Sequence, residues 1–244
     1  MKTLSNRTGR NAKKTAELGG TAAHAGTEPR RLSVRIPVGP VTLTGDLTLP
    51  AGAKGVVLFA HGSGSSRHSP RNQFVAREIQ AAGTGTLLFD LLTPEEEAAD
   101  AGDGHLRFDI GLLAGRLVRA TRWVGAGADT CRLGIGYFGA STGGAAALVA
   151  AAELGAVVDA VVLRGGRADL AGEALSRVVA PTLLIVGEQD EFVLELNQAA
   201  YERLRCEKHL AIVPRATHLF EEAGTLEAVA ALTAAWFHRH LEPR

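Results

Sequence analysis

The sequence predicts an α/β fold, a mostly parallel sheet covered by helices on both faces with an antiparallel hairpin at its N-terminal edge. Three observations carry this. From residue 55 onward, short and nearly continuous apolar runs alternate with longer segments of helical pattern. Before them stand two β-rich runs joined by Gly39-Pro40, a turn pair. The chain has 244 residues, 46% of them hydrophobic, which suffices to bury one full core.

The elements follow in order. Runs 32–38 and 41–49 make the hairpin. Residues 55–60 are unbroken apolar and read as a buried strand, followed by a helical pattern over 72–82 and a strand at 86–89. A long helix is expected over 106–124. The strand at 133–138 leads to an alanine-rich helix at 145–154, and the strand at 157–163 to a short helical stretch at 169–177. Strand 182–186 precedes helix 193–204, and strand 209–213 precedes the last helix, 226–240.

Residues 1–30 read as a separate, disordered basic tail, and 31–244 as one domain. The tail is poor in large apolar side chains and cannot bury enough surface to offset chain entropy. It also concentrates charge: Lys2, Arg7, Arg10, Lys13, Lys14, Arg30 and Arg31 precede Leu32 against only Glu17 and Glu28. Lys plus Arg balance Asp plus Glu at 26 each, so the rest of the chain is mildly acidic and gives no electrostatic reason to bind nucleic acid. No run is long enough for a membrane span, and the tail has no apolar core of a secretory signal. Cys131 and Cys206 cannot form a disulfide framework, and reduced thiols in a cytoplasmic protein are expected. Zinc-type Cys/His spacing and a Gly-x-Gly-x-x-Gly turn after the first βα strand are both missing, so neither metal nor cofactor is expected.

Chemistry is concentrated at strand ends. Gly139-Ala140-Ser141-Thr142-Gly143 spells Gly-x-Ser-x-Gly between a strand and a helix, a turn that lifts the serine oxygen clear of the sheet. The bland alternative is a serine that merely caps the helix. In an open parallel sheet, functional groups gather beyond the carboxyl ends of the strands. There, Gly187-Glu188-Gln189-Asp190 follows one strand and Pro214-Arg215-Ala216-Thr217-His218 the next. An imidazole can take the proton of Ser141 and return it to a leaving group, and a carboxylate can orient the ring. We assign these roles to His218 and Asp190, with Glu188 and Asp169 as competitors for the acid. The backbone N–H of Thr142 is one expected oxyanion donor. The second comes from the loop His61-Gly62-Ser63-Gly64, with Ser63 preferred and Gly62 the alternative.

Strand-His-Gly-x-Gly, strand-Gly-x-Ser-x-Gly-helix, a strand ending in Asp and a strand ending in His together resemble the α/β-hydrolase fold over residues 32–244. Within that superfamily, His61-Gly-Ser-Gly-Ser-Ser-Arg-His-Ser-Pro-Arg-Asn72 and Asp90-Leu-Leu-Thr-Pro-Glu-Glu-Glu97 resemble the dienelactone hydrolase-related proteins. The resemblance implies a hydrolase with a Ser141-His218-Asp190 triad; from segment lengths alone, no separate lid domain is expected. In some bacteria such domains are fused to a phosphoribosyltransferase; this sequence has no room for that partner and lacks its phosphate-binding signature. It also departs from dienelactone hydrolases proper, which place a cysteine where Ser141 stands, so ordinary esters are favoured over the lactone.

The expected function is therefore cleavage of a small carboxylic ester, lactone or thioester through an acyl-enzyme. A non-catalytic binding module of the same fold, or a peptidase with the same triad, is the alternative. A small-molecule acyl substrate is the expected partner, with no nucleic acid and no membrane. Arg67 and Arg164, with Gly62, are candidate substrate contacts, alongside His68 and Arg71. The acidic insertion carrying Glu95, Glu96, Glu97, Asp100 and Asp103 reads as a solvated loop or a cover for the site.

Overall fold

The structure, a computed structural model, describes residues 28–102 and 104–244. The expected tail lies outside the described residues except for Glu28, Pro29 and Arg30, and Arg30 already begins the first strand.

β1 (Arg30–Val38) and β2 (Val41–Leu49) pair antiparallel, and β2 continues antiparallel to β4 (Gly85–Phe89). Alternation turns Ile36, Val38, Leu43 and Leu47 inward. The remaining strands run parallel: β3 (Gly55–Ala60), β5 (Gly134–Ala140), β6 (Ala160–Arg164), β7 (Thr182–Gly187) and β8 (Lys208–Val213). The sheet order is β1-β2-β4-β3-β5-β6-β7-β8. β3 to β7 are buried along their whole length, which is why they read as continuous apolar runs.

The two faces carry separate cores. Val57, Phe59, Phe138 and Val162 pack toward α1 (Pro70–Ala81) and α6 (Thr225–His240). Val56, Leu58, Tyr137 and Leu163 pack on the other face, toward α3 (Ile110–Ala126), α4 (Thr142–Leu154) and α5 (Glu191–Arg203). After β3 the chain goes to α1 and β4 on one side, and it later returns to β5 and α4 on the other. The loops after β3 and β5 thus diverge around a crevice at the strand ends, the place where this topology binds ligands.

Local chemistry sets the boundaries. Pro70 occupies the first turn of α1 and Ser69 accepts the Asn72 N–H; Asp109 does the same for α3 through Leu112. The expected strand start at 157 moves to Ala160. Gly155–Val157 is a 3₁₀ turn, and the Asp159 carboxylate accepts the Ile135 N–H at 2.6 Å. The stretch 169–177 is 3₁₀ helix over Ala168–Arg177, broken at Gly172.

The acidic insertion is more ordered than a solvated loop. It contains α2 (Pro94–Ala99), closed by a capping box in which Thr93 and Glu96 satisfy each other's backbone N–H groups. Glu96 then pairs with the buried Arg116, whose hydrogen bonds hold its carboxyl below the ordinary range. The buried Asp100 accepts the N–H groups of Leu106 and Arg107 and the Arg107 guanidinium. Desolvation raises its carboxyl, but those bonds outweigh it and the net direction is down. Long helix α3 starts at Ile110 rather than 106 because these residues serve Asp100 instead.

Candidate active site

Ser141 sits at the N-cap position of α4, and its side chain makes no capping bond. The bland role of serine at this place is therefore unfilled. Its φ is +49°, one of three positive values at non-glycine residues among the described residues; the others are Arg215 and Phe220, which bracket His218. Such backbone costs about 1–3 kcal/mol per residue and persists only where surroundings enforce it. Here the Ser141 carbonyl accepts from both Gly144 N–H (3.0 Å) and Arg167 N–H (2.9 Å). Neither Gly139 nor Gly143 has positive φ, so the serine itself carries the unusual conformation of the turn. The flanking glycines supply clearance instead.

Asp190 ends the turn after β7 at the N-cap of α5, again without capping the helix. Its Oδ2 lies 2.6 Å from His218 Nδ1. The carboxylate side chain is 13% exposed and the imidazole 39%, so the acid is sheltered and the base open. Of the two competitors, Glu188 accepts the Arg215 N–H (2.8 Å), and Asp169 is paired with Arg167 through two bonds. Both are structural braces. Glu222 braces the other side of the loop by accepting the Thr217 N–H and hydroxyl, bonds that hold its carboxyl below the usual value. The His218 ring stands over Gly165, where a side chain would come within 3.3 Å of it.

The loop after β3 reaches the same place, since a side chain on Gly62 would lie 3.0 Å from Ser141 Cβ. The Ser63 N–H, the preferred oxyanion donor, gives its hydrogen bond to Thr142 Oγ1 at 2.9 Å. A substrate oxygen would have to share or replace that contact. His61 holds the loop: Nε2 accepts the Leu91 N–H, so Nδ1 carries the proton and donates to the Gly62 carbonyl, each at 3.0 Å.

Burial lowers the His61 pKa below its ordinary 6.5, and burial lowers that of His240 as well. The unfolded chain then binds protons that the folded one refuses, so stability is full above about pH 6.5 and declines as pH falls through that value. Thermal unfolding between pH 8 and 5 is expected to show this decline, and His61→Gln to flatten it. An equal slope in the variant would assign the effect elsewhere.

Two of the candidate arginines part company. Arg67 is not brought to the serine. Its guanidinium bonds Asp90 and lies 3.3 Å from Asp46, and it lines a cleft on the β1–β2 side of the molecule. Those two carboxylates, one on β2 and one just after β4, were not foreseen as its partners. Arg164, at the end of β6, is buried close to the serine turn, and its carbonyl accepts the Ser141 N–H at 3.4 Å. A cleft of about 630 Å³ adjoins the Gly62 loop, between Ser66 and Arg71 on one wall and Leu92, Glu97 and Leu113 on the other. Ser141 and His218 are not among its lining residues.

No protein-family model matches the chain. Among solved structures, the dienelactone hydrolase from Anabaena variabilis superposes with a TM-score of 0.87 at 59% identity, covering 88% of this chain and all of that one. The chain belongs to the dienelactone hydrolase family. Its α/β-hydrolase fold is shared more widely: the esterase domain of a Rhodothermus marinus protein matches at 21% identity with a TM-score of 0.67, over 86% of this chain and 99% of that one. Two Mycobacterium tuberculosis proteins, each named "putative phosphoribosyl transferase", are 56% identical over 226 residues. This covers 93% of the chain, which spans about half the length of those relatives. No helix among the described residues of this dienelactone hydrolase family member is long and apolar enough to cross a membrane.

Proposed function

We propose that this protein is a serine hydrolase cleaving a small carboxylic ester, lactone or thioester through an acyl-enzyme. The observation that carries the reading is the His218–Asp190 bond, made by loops at the same carboxyl edge of the sheet at which Ser141 stands free of helix capping. Membership in a hydrolase family and likeness to an esterase domain agree with it.

Because Asp190 holds Nδ1, the proton sits there and Nε2 is the nitrogen left to act as base. Ser141 Oγ attacks the carbonyl carbon while Nε2 takes its proton. The Thr142 N–H, with the Ser63 or Gly62 N–H, receives the oxyanion. Collapse expels the alcohol or thiol, which takes the proton from Nε2. Water then repeats the sequence on the acyl-enzyme, releasing the acid and restoring the serine.

A fluorophosphonate probe tests the reading directly. The parent protein is expected to label, and Ser141→Ala and His218→Gln to fail to label while remaining folded. A parent that does not label points instead to the non-catalytic module. A set of acyl donors with alcohol, thiol and amine leaving groups then separates esterase from thioesterase and peptidase.

A further inference from the structure

The loop 165–167, which follows β6, touches both halves of the proposed triad. Gly165, with φ of +52°, lies beneath the His218 ring. The Arg167 N–H donates to the Ser141 carbonyl at 2.9 Å and so helps to hold the strained nucleophile turn. Gly166 packs at the start of α4, where a side chain on Gly144 would lie 3.1 Å from its Cα. The loop is held in turn from α5: Asn197 Nδ2 donates to the Gly166 carbonyl at 2.8 Å.

Packing alone would not place an asparagine there. Residues 190, 193, 197 and 200 recur at helical spacing and share one face of α5. Asp190 opens that face at the N-cap, and Val193, Asn197 and Ala200 are its buried members. A fully buried amide thus interrupts an otherwise apolar stripe. Its Nδ2 is shared between the Gly166 and Val193 carbonyls, 2.8 Å from each, while Oδ1 has no hydrogen-bond partner among the described residues. Burying an unpaired oxygen costs free energy that an aliphatic side chain would avoid. Stability therefore does not account for Asn197. Its bond to Gly166 does: it ties the helix that begins at the triad acid to the loop that supports the imidazole and the serine turn. A second tie runs parallel to it. The Arg167 guanidinium, bound to Asp169, lies 5.9 Å from the ring centre of Phe192, two residues beyond Asp190.

We propose that Asn197 is a positioning residue for the triad: through Gly166 it fixes loop 165–167, and with it the register between Ser141 and the His218–Asp190 pair. Ser141 follows β5 and His218 follows β8, so their separation is set by β6, β7 and the loops that leave them. A displacement of about 1 Å between reacting groups costs on the order of 10²-fold in rate, with little effect on ground-state binding. The effect on turnover rests on the serine-hydrolase reading; the fixing of the loop does not.

Two measurements on the full chain test it. In the first, Asn197→Leu, close in size but without a donor, is compared with the parent on 4-nitrophenyl acetate and in its rate of fluorophosphonate labelling. Both kcat and the labelling rate should fall about tenfold or more, with KM within about twofold of the parent value. Ala200→Gly weakens the same face of α5 one turn further on without touching the bond, and it should keep the parent rates. In the second, amide hydrogen exchange is followed in Ser141→Ala with and without Asn197→Leu. The Arg167 N–H should exchange about tenfold faster or more once Asn197 is replaced. The Gly165 N–H, held by the Ile185 carbonyl of β7 at 2.8 Å, should keep its protection. Asn197→Ser takes the place of Asn197→Leu if the latter does not fold; its hydroxyl returns to the Val193 carbonyl and does not reach Gly166. Unchanged protection of the Arg167 N–H, parent-like rates in Asn197→Leu, or an equal rate loss in Ala200→Gly overturns the proposal. A parent that neither turns over nor labels overturns the serine-hydrolase reading alone, because exchange is measured without the nucleophile.

Discussion

Ser141→Ala is expected to lose turnover by about 10⁴-fold or more while unfolding at nearly the parent temperature. The two halves of that result have separate causes. Removing Oγ removes the only atom that could form the acyl-enzyme in the proposed reaction, and His218 and Asp190 cannot substitute for it. The same hydroxyl makes no hydrogen bond among the described residues, so its loss leaves no partner unsatisfied. Alanine inherits the positive φ and its strain; glycine does not. Ser141→Gly should therefore be equally inactive yet more stable than the parent, by about 1 kcal/mol. Initial rates on 4-nitrophenyl acetate, paired with urea midpoints for the three proteins, check both halves. Parent-like hydrolysis by Ser141→Ala would remove the serine from the mechanism.

Most of the sheet was legible because its strands are buried on both faces, so composition alone marks them. β2 and β3 begin and end where the apolar runs do. Helix α2 escaped because six residues, Pro-Glu-Glu-Glu-Ala-Ala, have no apolar stripe to show a period. The available signal was the pattern Thr93-x-x-Glu96 with proline after the cap. In the site, chain order pointed to Asp190 and His218, but only geometry separates Asp190 from Glu188 and Asp169, since all three follow strands. Arg67 and Arg164 looked alike for a similar reason. Sequence shows that a guanidinium lies near the serine loops, not whether carboxylates on β2 and just after β4 already hold it.

Gly143→Ala should be among the most damaging single-atom additions to this chain. A methyl there would lie 2.1 Å from the Ala60 carbonyl oxygen and 2.5 Å from that of His61. Those are backbone atoms at the end of β3, a strand paired on both sides, so neither a rotamer change nor a small shift gives room. We expect a stability loss on the order of 4 kcal/mol or more, as overpacking against immovable backbone requires. Gly64→Ala is the control: its φ is +68° and nothing lies within 4 Å, so only the conformational cost of about 1 kcal/mol applies. Urea midpoints of the two variants should differ accordingly. An intact midpoint for Gly143→Ala would mean that α4 does not meet β3 as closely as described. The contact matters for chemistry because it sets the start of α4, and with it the Thr142 N–H, against the Gly62 loop. The last glycine of Gly-x-Ser-x-Gly is thus required by the approach of a helix to a strand, while the serine bears the strained turn.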